Sequence, residues 1–158
     1  YIKRIERKTA ILIEASCHLG AIVANCSAAD TKALRLFGRD IGLAFQIADD
    51  LLDFTANRTQ LGKPVAEDLR HGHKTLPVFY GAEDAAFYES LSKIETMPTH
   101  EEVAPLLAFL QTSGALERTQ RTVDLYIRRA INRLEPLPKS SAKRSLEEVA
   151  RYVGKRKG

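Results

Sequence analysis

The sequence predicts an all-α protein, a helical bundle. Apolar residues recur at three- and four-residue spacings along most of the chain, the period of a helix that buries one face. Alternating valine-rich stretches of strand type, internal repeats and low-complexity blocks are absent from the sequence. Of the 158 residues, 44% are hydrophobic, enough for one domain with a real core.

Ile2, Ile5, Ala10, Leu12 and Ile13 open a helical rhythm that runs on through Ala24. Asp30 suits an N-cap for a long second helix, with Ala33, Leu34, Phe37, Ile41, Ala44, Ala48, Leu51 and Leu52 at helical spacings. Ala56 to Lys74 is polar, carries Gly62, Pro64 and Gly72, and lacks any period, so it reads as a loop. Thr75 can cap the next helix, with Pro77 tolerated in its first turn. Further helices are expected over Asp84 to Ile94, Glu101 to Thr112, and Ala115 to Leu134, with Gly114 between the last two. After "EPLPKS", Ser141 to Tyr152 forms a final helix before the basic tail "GKRKG".

Composition narrows the function. Lys and Arg number 24 against 20 acids, a formal net charge of +4, which suits an anionic small ligand and does not demand nucleic acid. Cys17 and Cys26 are too few for a disulfide scaffold and read as small reduced core residues. Glu14, His18 and Asn25 interrupt the most apolar tract, Ile11 to Cys26, so it is no membrane span. The expectation is a cytoplasmic protein, attached to a membrane surface at most. The chain opens at Tyr1 without Met, and is expected to be a piece of a longer protein.

The segment "FQIADDLLDFTANRTQLGKP", Phe45 to Pro64, concentrates Asp49, Asp50 and Asp53 with no Lys or Arg among them. On a helix at about 100° per residue, Gln46 and the three aspartates fall within roughly 100° of arc. Ala44, Ala48, Leu51 and Leu52 take the opposite side. Carboxylates this close raise each other's pKa unless a cation lies between them, and near a helix C-terminus they also oppose the dipole. Hard oxygens suit Mg²⁺, commonly held by one or two carboxylates with substrate phosphates and water. A solvated acidic face is the bland alternative, and metal binding is the favoured one. Lys63, Arg70, His71, His73 and Lys74 follow, so carboxylates and cationic groups together suit a polyphosphate.

These residues resemble a known family. "GLAFQIADDLLDF" (Gly42 to Phe54), followed by "LGKPVAEDLRHGHKTLPV" (Leu61 to Val78), is similar to the trans-prenyl diphosphate synthases, including their second aspartate-rich motif D-D-x-x-D preceded by F-Q. "YIKRIERKTAILIEASCHLGA" (Tyr1 to Ala21) looks like the family's helix with a Lys-Thr pair, and "YVGKRKG" like its basic C-terminus. The resemblance implies an antiparallel helical bundle of the isoprenoid synthase type around a deep cavity, where two aspartate-rich motifs bind Mg²⁺ and hold an allylic diphosphate. By the same resemblance, Asp49, Asp50 and Asp53 bind Mg²⁺, while Lys8 and Lys63 reach the diphosphate. Thr9 and Gln46 would line the pocket, with Asp68 in a supporting role. Asp49, Asp50, Lys8 and Lys63 would thus form the catalytic set. The implied reaction extends an allylic prenyl diphosphate with isopentenyl diphosphate to a longer linear trans-polyprenyl diphosphate.

The chain departs from the family pattern at two places. The first aspartate-rich motif and the isopentenyl-binding basic residues are absent, so residues 1–158 resemble the C-terminal half of one synthase domain, not expected to be active alone. In "HGHKTLP", His73 follows Gly72 where short-chain members carry lysine, which favours a long-chain, quinone-side-chain enzyme. Two rivals remain: a non-catalytic partner subunit of a heteromeric synthase, and a class I terpene cyclase, the latter disfavoured by G-K-P and T-L-P. A homodimer or a heteromer is expected by resemblance. His71 and His73 with Asp68 lack a fourth ligand for zinc. Arg118, Arg121, Arg128, Arg129 and Arg133 stripe one helix and read as a solvated face rather than a lipid contact. Lys155, Arg156 and Lys157 read equally as a disordered end or as a flap over isopentenyl diphosphate.

Overall fold

A computed structural model describes residues 1–55, 66–94 and 97–155. The helices are α1 (Ile2–Ile5), a π-helical turn (Glu6–Ala10), α2 (Ile11–Val23), α3 (Ala28–Thr55), α4 (Glu67–Arg70), α5 (Leu76–Gly81), α6 (Ala85–Ser92), α7 (His100–Thr112), α8 (Ala115–Arg133) and α9 (Ser141–Gly154). No strand occurs among the described residues, so the all-α expectation holds. The described residues form two compact units, 1–48 with 122–155, and 49–121.

In the first unit, α2 and α3 form a tight antiparallel hairpin. A methyl group on Gly38 would lie 2.7 Å from the Ile13 carbonyl oxygen, and one on Gly42 would lie 2.6 Å from the Ala10 Cα. Only glycine permits backbones this close. The turn between the helices uses Asn25 at φ 51°, with the Cys26 N–H donating to the Ala21 carbonyl at 3.0 Å, a left-handed stop of Schellman type. The cap of α3 lies three residues earlier than expected: Ser27 Oγ accepts the Asp30 N–H at 3.1 Å, and its hydroxyl donates to Asp30 Oδ2 at 2.8 Å. Asp30 is thus the acid within the first turn, and the serine before the helix is its cap. Phe37, Ile41, Ala44 and Ile47 of α3 are buried, as are Val123, Ile127 and Ala130 of α8 and Ala150 and Val153 of α9.

Cys17 and Cys26 are free and half-buried rather than core residues, and burial pushes the Cys17 thiol above its usual range. The arginine stripe of α8 is exposed at Arg118, Arg121, Arg128 and Arg129, as a solvated face requires, and part of it also pairs inward. Arg129 Nη2 and Arg133 Nε each lie 3.2 Å from a carboxylate oxygen of Asp40, whose side chain is buried. In the second unit Arg118 pairs with Glu83 at 2.5 Å and stacks over Tyr80 at 4.0 Å. These three arginines satisfy internal partners, which sequence periodicity alone does not show.

The second unit packs Phe54, Leu69, Val78, Phe87, Val103, Leu106 and Leu110 into one apolar cluster, with the Phe87 and Phe109 rings 4.9 Å apart. Two of its helices, α6 and α7, start on side-chain caps. Asp84 accepts the Phe87 N–H at 3.0 Å, and Thr99 with Glu102 forms a capping box around the start of α7. Thr75 takes the N-cap position of α5, with proline in the first turn as expected. Its hydroxyl is nevertheless buried without a hydrogen-bond partner among the described residues, so the capping bond expected there does not form.

Candidate functional site

The Lys-Thr pair lies in the π-helical turn. That turn widens the helix by one residue, a distortion frequent at functional positions, and it leaves Lys8 exposed, Thr9 half-buried and Ala10 buried against Gly42. Gly38, Gly42 and Gln46 follow each other at four-residue intervals on α3, one face of a helix. The contacts at the first two positions therefore carry Gln46 onto Thr9, whose hydroxyl donates to Gln46 Oε1 at 2.6 Å. Gln46 is buried, and this bond fixes which end of its amide faces the threonine. Two motifs separated by the whole hairpin thus meet in the first unit.

At the C-terminal end of α3 the three aspartates do not share one open face. Asp49 is exposed, Asp50 is buried and Asp53 is half-buried. Asp53 binds backbone amides. Its Oδ1 accepts the Glu67 N–H at 3.2 Å and its Oδ2 the Asp68 N–H at 3.0 Å. Its carbonyl oxygen accepts the Ala66 N–H at 2.8 Å, where Ala66 takes a left-handed conformation at φ 62°. These bonds build α4 inside the stretch expected to be loop, because a carboxylate at a helix N-terminus satisfies amides that otherwise have no acceptor. Burial raises the Asp53 pKa; the two amide bonds act against that rise, and the neighbouring charges of Asp68 and Glu67 add to it.

α4 in turn carries an ionic cluster. Glu67 pairs with Arg70 at 2.7 Å and stands 3.5 Å from His71, while Arg70 Nε donates to the Pro98 carbonyl at 2.9 Å. The hydrogen bond from Arg70 is the main reason the Glu67 carboxyl titrates below its ordinary value. His73 uses its backbone N–H on the Asp68 carbonyl at 2.7 Å. Lys63, Arg156 and Lys157 lie outside the described residues. Among the described residues, no group of three or more His, Cys, Asp or Glu side chains is arranged to hold a metal ion.

Sequence reasoning missed Asp40, the two glycines and the π turn. A single acid amid the buried positions of α3, in "GRDIG", was the available signal for the first two. The π turn leaves no mark in periodicity.

Comparison with known proteins defines the class. The polyprenyl synthetase family model matches residues 1–108, and the chain belongs to that family. It is 41% identical over 157 residues to heptaprenyl diphosphate synthase component 2 of Bacillus subtilis, covering 99% of this chain and 45% of the relative. The protein of that name from Geobacillus stearothermophilus is 40% identical over 156 residues, with 99% and 49% covered. The crystal structure of heptaprenyl diphosphate synthase from Staphylococcus aureus superimposes with a TM-score of 0.94 at 32% identity, covering 99% of this chain and 49% of that one. The chain therefore spans about half the length of these relatives. No helix among the described residues is long and apolar enough to cross a membrane.

Proposed function

We propose that this chain forms the C-terminal half of a Mg²⁺-dependent trans-polyprenyl diphosphate synthase, which joins an allylic prenyl diphosphate to isopentenyl diphosphate. The 2.6 Å bond between Thr9 and Gln46 carries the reading. It joins the Lys-Thr pair to the F-Q ahead of D-D-x-x-D, motifs that the resemblance assigns to one pocket. The donor set fits the metal: Mg²⁺ is satisfied by one or two carboxylates completed by phosphate and water, so a closed cage of protein ligands is not needed. Asp49 and Asp50 would hold it, with Asp53 contributing through whatever lone pairs its amide bonds leave. Bound there, Mg²⁺ neutralises a diphosphate leaving group.

Lys8 and Lys63 add positive charge to the same diphosphate, so that the allylic C–O bond breaks with its electron pair on the leaving group. The double bond of isopentenyl diphosphate then forms the new C–C bond, and the released diphosphate takes up the proton that restores the double bond. Water must be kept from the cation, which it would otherwise hydrolyse. The heptaprenyl names of two relatives and the histidine at position 73 favour a long-chain product.

A second reading, the partner subunit of a heteromeric synthase, is favoured by the words "component 2" in those names. The chain completed by the other half of the fold, given farnesyl diphosphate, labelled isopentenyl diphosphate and Mg²⁺, separates the two. A ladder of linear products ending at one length supports the synthase. Retained binding of pyrophosphate and Mg²⁺ without extension supports the partner, and cyclised hydrocarbons would support a terpene cyclase.

A further inference from the structure

The π turn at Glu6–Ala10 is held by more than the Thr9–Gln46 bond. A π turn is rare, because it sets i→i+5 bonds in place of the regular ladder, and it persists where its surroundings hold it. Here the closing bond runs from the Ile11 N–H to the Glu6 carbonyl. The Glu6 side chain is fixed as well: its Oε1 stands 2.6 Å from Arg39 Nη2, across the hairpin on α3. Glu6 is thus pinned at both its backbone and its carboxylate, two residues ahead of Lys8 in the same turn.

Arg39 is itself held by packing. Its Nε is buried with no acceptor among the described residues, whereas a side chain free to move would turn that donor to water. The half-buried Tyr126 of α8 lies in the field of Arg39 and Glu6, together with that of Arg129 and Asp40. Arg39 therefore meets Glu6 from a fixed place on α3, next to the Asp40 that two arginines clamp and one turn before the Gly42 that admits Ala10. A second Glu–Arg pair joins the same two helices and differs in one respect. Glu14 meets Arg35 at 2.5 Å, and the Arg35 and Arg39 side chains are 40% and 41% exposed, but Glu14 lies in the regular part of α2. That pair staples the hairpin without touching the π turn.

We infer that Glu6 is a positioning residue: paired with Arg39, it keeps the π turn in the form that presents Lys8 and Thr9 to the allylic diphosphate. The inference rests on the proposed role of Lys8 in holding that diphosphate. Without the pair the turn relaxes to regular helix, and side chains ahead of the extra residue swing by up to ~100° relative to α2. The sign of the effect separates positioning from simple charge. Glu6 is an anion in the turn that carries Lys8, so as a bare charge its removal would tighten diphosphate binding. As a positioning residue, its removal weakens binding.

The test uses this chain completed by the other half of the fold. Glu6→Ala should raise the KM for farnesyl diphosphate and weaken the binding of inorganic pyrophosphate with Mg²⁺, each about tenfold, with kcat little changed. Glu6→Gln, which keeps an oxygen for Arg39 to donate to, should stay within about threefold of the wild type. Glu14→Ala, which also loses one interhelical ion pair, should leave both constants unchanged. Hydrogen exchange reads the turn without any activity: the Ile11 amide should exchange about tenfold faster in Glu6→Ala, and as in the wild type in Glu14→Ala. Unchanged or tighter pyrophosphate binding in Glu6→Ala, equal losses in Glu14→Ala, no rescue by Glu6→Gln, or an Ile11 amide that ignores Glu6 would each overturn the inference. A wild type that binds pyrophosphate and responds to Glu6→Ala, yet extends no prenyl chain, would sink the catalytic reading and leave the positioning role standing. A wild type that binds no pyrophosphate would sink both.

Discussion

Asp40 and Asp53 stand on the same helix, each is met by two partners, and they are satisfied in opposite ways. Asp40 is buried between two guanidinium groups, each 3.2 Å away, so its charge is neutralised where it sits. Asp53 is held by two backbone amides, 3.2 and 3.0 Å away, which are neutral dipoles. An arginine-bound carboxylate ties helices together and has little field left for a ligand. An amide-bound carboxylate can shape a local turn and still present negative charge to a cation. The middle of α3 is therefore a structural girder, while its C-terminal end carries Asp49, Asp50 and Asp53, the acids proposed to meet the metal.

The sharpest way to extend this contrast is Asp50→Ala in the completed synthase. Turnover should fall on the order of 10²- to 10³-fold with the melting temperature nearly unchanged. Steady-state extension assays beside a thermal melt check it, and unchanged turnover would place the chemistry elsewhere. Asp40→Ala should do the reverse. It removes the shared partner of Arg129 and Arg133, costing about 2 kcal/mol of stability, moderated because both arginines are partly exposed and regain water. Urea denaturation reads that loss, and a variant as stable as the wild type would break the girder argument.

Asp53→Ala should cost less, about 1 kcal/mol, since two amides near the surface exchange a carboxylate for water. Hydrogen exchange should localise the change to the Glu67 and Asp68 amides. If those amides exchange as before, Asp53 does not build α4. The smallest effect concerns pH. The Glu67 carboxyl titrates below its unfolded value because Arg70 donates to it, so its stabilisation is present above the ordinary glutamate range and is lost as pH falls through the depressed folded value. Glu67→Gln should therefore lie closest to the wild type in acid and furthest from it near neutrality. Denaturation midpoints across pH 3–7 test the sign, a window set by the ~4.3 reference pKa of glutamate.

Much of this was legible beforehand because it is written in short-range pattern. Three- and four-residue apolar spacing predicted the helices to within a few residues, and the acids of Phe45 to Pro64 announced themselves by lacking bases. What failed depended on which polar side chain finds which backbone group. Ser27 rather than Asp30 caps α3, and Asp53 turns part of an apparent loop into a helical turn.

The sequence by itself determined the all-α class, the location of the carboxylates and the motifs that place the chain in its family, because periodicity and spacing are local properties. Only the tertiary structure decided that Gly38 and Gly42 admit α2 closely enough to join Thr9 to Gln46, and that arginines read as a solvated stripe close on Asp40. It also decided that the aliphatic residues of α2 face outward. Those outcomes depend on distances between residues remote in the chain, which packing sets and no local pattern encodes.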